Sequence, residues 1–105
     1  MIENQTWDKK SIRAVTGNSK SFDEIAKDCV AFANKDGGHL AIGIEDDDEL
    51  PPSTQRIDDS LKERVVKRIN ELTVNVAVVP RIVETENGGE YLDLEILLVL
   101  VQYLH

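Results

Sequence analysis

Lys9, Lys10 and Arg13 crowd the start of the chain, and Lys62, Arg64, Lys67 and Arg68 form a second basic group. Lysine and arginine are the side chains that contact phosphate, arginine in a bidentate fork. Both groups are therefore candidates for binding nucleic acid. In the second, Glu63 and Lys67 have the i,i+4 spacing of an ordinary helix ion pair. Arg64 and Arg68 repel at the same spacing, which points to an external anion. Opposite in sign is the acidic run Glu45 to Glu49. Carboxylates of this kind can hold divalent ions that bridge to phosphates.

Other chemistry is excluded by missing residues. Gly17-Asn18-Ser19-Lys20-Ser21 ends like a phosphate-binding loop, but Ser19 and Ala14 stand where its two glycines belong, so no ATP site is expected. The acidic run has neither the central glycine nor the terminal glutamate of a calcium-binding EF-hand loop. No paired cysteines or histidines have zinc spacing. Cys29 falls on an apolar stripe and reads as a core residue. His39 reads as a surface residue at the start of a strand.

The elements that must position these groups follow from periodicity. Ser21 and Glu24 have capping-box spacing, and Phe22, Ile25, Ala26, Cys29, Val30 and Ala33 then recur at helical intervals. Asn34 and Gly37-Gly38 end that helix. His39 to Ile44 reads as a strand with a small face at Ala41 and Gly43, where a helix or ligand can approach. Glu45 to Pro52 reads as a mobile loop. Ser60 and Glu63 form a second capping box before the stripe Leu61, Val65, Ile69 and Leu72. Val74 to Val83 is β-branched but contains Pro80, so it reads as an edge strand or two short strands. Glu86-Asn87-Gly88-Gly89 is a hairpin turn, and Tyr91 to Ile96 alternates as the returning strand. With a polar N-terminal segment that can add a strand, the order is (β)-α-β-α-β-β. This is an α/β (α+β) fold with two helices packed on a small mixed β-sheet in two layers.

Composition sets the outer bounds. The chain has 105 residues, 41% of them hydrophobic and 30% charged, as expected of one compact globular domain, residues 1–105. A single cysteine excludes an internal disulfide framework, and no signal-peptide pattern or membrane-length apolar run is present. The reading is a cytoplasmic protein with no membrane partner. Twenty acidic against twelve basic residues give a net charge of −8, which argues against tight non-specific binding to nucleic acid by charge alone. Ile96 to Leu104 is unusually apolar. It implies a strand buried on both faces, a homo-oligomer contact, or a surface for a further domain in a longer protein.

The stretch Ala31-Phe32-Ala33-Asn34-Lys35-Asp36-Gly37-Gly38-His39-Leu40-Ala41-Ile42-Gly43-Ile44-Glu45-Asp46 resembles the signature of the Schlafen AlbA-type domain, roughly "AFANTxGGxLxIGVxD". Glu3-Asn4-Gln5-Thr6-Trp7-Asp8-Lys9-Lys10 is similar to a second signature of that family, "ExxxxEFK", with Asp8 for the second glutamate and Lys9 for the phenylalanine. The resemblance implies a nucleic-acid-binding module, in particular a DNA-binding part of a bacterial transcriptional regulator, at the N-terminus of a longer protein. Lys9, Lys10, Arg13, Asn34, Gly37 and Gly38 are its expected contacts. It also implies an alternative, a Schlafen-type endonuclease acting on RNA or DNA. There Glu3, Asp8 and Asp46 would be the catalytic acids, holding Mg²⁺ or Mn²⁺. A third reading, from a different class, is a dimerisation or ligand-sensing module that touches no nucleic acid.

Overall fold

The computed structural model describes residues 6–16 and 19–97. The elements run β1 (Thr6–Lys10), α1 (Arg13–Thr16), α2 (Ser19–Ala33), β2 (Gly38–Ile42), α3 (Asp59–Leu72), β3 (Val78–Glu84) and β4 (Glu90–Ile96). The strands form one mixed sheet in the order β1-β2-β4-β3. β1 runs parallel to β2, and β4 is antiparallel to both β2 and β3. The expected α+β fold is borne out, with β1 as its first strand and the short α1 as an addition that periodicity did not announce.

One face of the sheet carries the core. Leu40, Ile42, Leu92, Leu94 and Ile96 are fully buried there, against Ile25 and Cys29 of α2 and Val65 and Ile69 of α3. Alternation along each strand then sends Trp7, Lys9, His39, Ala41, Tyr91, Asp93, Glu95 and Arg81 to the other face. No described helix packs on that second face. Among the described residues no helix is long and apolar enough to cross a membrane.

Several boundaries differ from expectation for local reasons. α2 begins at Ser19, so Ser21 lies inside the helix rather than capping it. α3 is capped by Asp58, whose Oδ1 accepts the Leu61 N–H at 2.7 Å, while the Ser60 hydroxyl donates to the same carboxylate at 3.0 Å. Aspartate is as good a cap as serine, and it sits where the extended backbone turns into the helix. The expected Glu63–Lys67 pair gives way to Lys62–Asp59 at 3.5 Å and Arg68–Glu71 at 3.2 Å. β3 is a single edge strand, as its Pro80 requires, but it starts at Val78. The hairpin closes with the Thr85 N–H on Gly89 O at 2.8 Å.

β2 ends at Ile42, two residues earlier than its apolar run. Gly43 turns the chain out of the strand at φ +114°, where a side chain would be strained and would collide with the Gln55 amide. The loop that follows was expected to be mobile, yet its second half is stitched to the β3–β4 hairpin. Gln55 Nε2 donates to Gly43 O at 2.9 Å and Glu90 O at 2.8 Å. Asn87 Nδ2 donates to Pro51 O at 2.8 Å, Arg56 Nη1 to Gly88 O at 2.7 Å, and Ile57 N–H to Glu90 Oε1 at 2.8 Å.

Candidate functional site

The helix-free face deepens into a cleft of about 330 Å³ where the ends of β1 and β2 meet the loop after β2. Trp7, Lys9 and Tyr91 line it from the sheet, with Asp8 at its edge, and Asp46 and Glu49 line it from the loop. Of the three expected metal ligands, Asp46 lines this cleft and Asp8 borders it, but the register of β1 on β2 turns the Asp8 side chain toward the Lys10 side of the strand, 3.9 Å from Lys10 Nζ. Glu3 lies outside the described residues. Carboxylate oxygens are the hard donors that Mg²⁺ or Mn²⁺ takes. Among the described residues, however, no three acids, histidines or cysteines converge closely enough to hold an ion.

The expected nucleic-acid contacts divide between places. Lys9 points to the cleft side, where its Nζ donates to the Asp48 carbonyl at 2.6 Å. Lys10, one residue on, points to the opposite layer and pairs with Asp28 of α2 at 2.8 Å. The bond to Asp28 holds its ammonium charged above the ordinary lysine range, against the opposing effect of burial. Arg13 is 82% exposed and lies 3.7 Å from Glu45. Asn34, Gly37 and Gly38 sit at the far end of β2. Gly37, at φ +77°, donates to Phe32 O at 2.8 Å and reverses the chain out of α2. Four strand steps of about 3.3 Å separate Gly38 from Ile42, so this corner is roughly 13 Å from the cleft end.

The sequence did not reveal a cluster of mutually bonded side chains on this face. His39 is not a free surface residue: its Nδ1 lies 3.1 and 3.2 Å from the two carboxylate oxygens of Asp93, whose side chain is only 6% exposed. A carboxylate accepts, so Nδ1 carries the hydrogen. Trp7 stacks on the imidazole with ring centres 4.0 Å apart and planes within 6°. Arg81 closes the group, with Nη1 2.9 Å from Glu95 Oε1 and 4.0 Å from Asp93 Oδ2. Next to Asp93, burial and the nearby negative charge push the Tyr91 hydroxyl above the ordinary tyrosine range. The signal for this cluster was Asp93, an acid between two core leucines on a strand. Its partner, His39, is 54 residues away and becomes visible only through the register of β2 on β4.

The model of the Schlafen AlbA_2 family matches residues 3–103, nearly the whole chain. The chain belongs to the Schlafen AlbA_2 family. A search of curated proteins finds no match. In this AlbA_2 chain the family signature from Ala31 to Asp46 builds the end of α2, the glycine corner, β2 and the first part of the loop. The signature therefore threads both ends of the strand at the centre of the site.

Proposed function

We propose that this AlbA_2 chain is a nucleic-acid-binding module that docks through the helix-free face of its sheet, as the DNA-contacting part of a bacterial transcriptional regulator in the cytoplasm. The observation that carries the reading is the cleft in which Trp7 and Tyr91 offer aromatic surface beside Lys9. Aromatic rings take bases and the ammonium takes phosphate, which is the pairing of groups that nucleic-acid grooves use. Family membership supports the same reading. The test is a mobility shift at low salt with labelled tRNA, single-stranded DNA and duplex DNA, with and without Mn²⁺. Retarded but intact nucleic acid is the expected result. Neither retardation nor cleavage would overturn the reading and leave an interaction module in its place.

A second reading, a metal-dependent endonuclease, is supported by Asp8 and Asp46 both bordering that cleft. It requires cleavage that depends on Mn²⁺ or Mg²⁺ and disappears in a Glu3→Ala/Asp8→Ala double variant. Cleavage that survives that variant would remove it.

A further inference from the structure

Burying a carboxylate is costly unless it is paired, and Asp93 is buried on a face that no described helix covers. Its partner there is His39, both of its oxygens lying within 3.2 Å of Nδ1. The locked imidazole in turn lies flat against the indole of Trp7. The outcome of this chain of contacts is a tryptophan that is 57% exposed yet fixed in orientation. One indole face is covered by His39, and more than half of the residue's surface remains open to a ligand. An exposed aromatic ring held by a stack loses little further freedom when a second ring lies on it, so it is preorganised for a planar ligand.

In a duplex the faces of each base are covered by its neighbours, so only an unpaired base can reach a flat protein ring. Lys9 supplies the matching charge. It lies two residues along the same strand on the same face, and its Nζ bonds a backbone carbonyl rather than a carboxylate, so its charge is available to a phosphate. We propose that Trp7, backed by His39 and Asp93, is a stacking platform for an unpaired nucleobase, so that the module selects single-stranded or flipped-out nucleotides over paired ones. This rests on the nucleic-acid reading above and adds the form of nucleic acid bound.

Trp7 is the only tryptophan in the chain, so its fluorescence reports on this site alone. Mixed-sequence single-stranded DNA, the same sequence as RNA, and the matched DNA duplex are titrated into the full chain while emission is followed. Mobility shifts are run in parallel. Either single strand should quench Trp7 over the concentration range that retards it, while the duplex should bind more weakly and quench less. Comparing the two single strands shows which sugar is preferred. Trp7→Ala should weaken single-strand binding about tenfold or more, and Trp7→Phe should keep most of it. His39→Ala, which frees the indole, should fall between wild type and Trp7→Ala. Circular dichroism and the urea midpoint establish that each variant is folded. Single-strand binding by mobility shift that is equal in Trp7→Ala, with no quenching in the wild type, overturns the platform and leaves the binding function standing. Absence of retardation with every nucleic acid overturns both.

Discussion

Asp93 and Cys29 are both enclosed by the fold, and they fare differently because one has a partner. Asp93 keeps a hydrogen-bonded imidazole against its carboxylate, and through it fixes Trp7 on the open face. Cys29 is packed into the apolar core between α2 and the sheet, and burial, with the nearby Asp28 charge, pushes its thiol up to about 12. The thiolate, not the thiol, is the nucleophile, so near neutral pH this cysteine should be inert in the folded chain. Its reaction with a disulfide reagent should be slow in buffer and rapid in denaturant, with the slow rate set by opening of the core. Equal rates in the two conditions would mean that Cys29 is not where α2 places it. The sign extends to stability, because ionising the thiol is easier in the unfolded chain than in the folded one. Above the ordinary thiol range the folded state should lose stability with rising pH through this residue.

Among the elements, those with one apolar face were legible and those defined by a single polar contact were not. The stripe Phe22, Ile25, Cys29 and Ala33 and the alternation Leu92, Leu94 and Ile96 gave α2 and β4, because burial of one face leaves a period in the sequence. The glycine corner at Gly37-Gly38 was legible for a similar reason, since few residues other than glycine take φ near +77°. The caps were not legible. Ser60-x-x-Glu63 and Asp58-x-x-Leu61 both place a capping oxygen before the same stripe, and the choice depends on where the chain leaves the loop. That exit is fixed by Ile57, held to Glu90 of a distant hairpin. The candidate site was half legible in the same sense. Asp8 and Asp46 came from local motifs, whereas His39 with Asp93 needed the strand order. Asp58 offers a direct test at this scale. The Leu61 N–H and the Ser60 hydroxyl hold its carboxyl below the ordinary aspartate range, so its contribution is full above that range and is lost as pH falls through the lowered value. Asp58→Ala should lower the urea midpoint at neutral pH, and the deficit should shrink on acidification. Asp58→Asn should cost less, because the amide oxygen can still cap, and should remove that part of the acid dependence. A deficit of constant size at every pH would assign the cap to another group.

For the whole molecule the charge of −8 and the proposed ligand pull in opposite directions, and the salt dependence of binding shows how the conflict is resolved. Three cations stand on or beside the helix-free face among the described residues. Lys9 bonds a carbonyl, while Arg13 and Arg81 already have Glu45 and Glu95 close by. Each phosphate neutralised on a single strand contributes a slope of about −0.7 to the logarithm of affinity against the logarithm of salt concentration. One to three such contacts therefore give a slope between about −0.7 and −2. Stacking on Trp7 adds affinity without adding slope, because it releases no counterion. Binding should consequently be modest at low salt and decline gently as salt rises, the reverse of a basic domain that grips tightly and lets go abruptly. The measurement is a series of Trp7 titrations with one oligonucleotide at increasing salt. A slope steeper than about −3 would need more phosphate contacts than this face can supply. It would shift the interface to the outer side of α3, where Lys62, Arg64, Lys67 and Arg68 are gathered, and the aromatic cleft would then have to be explained by a different ligand.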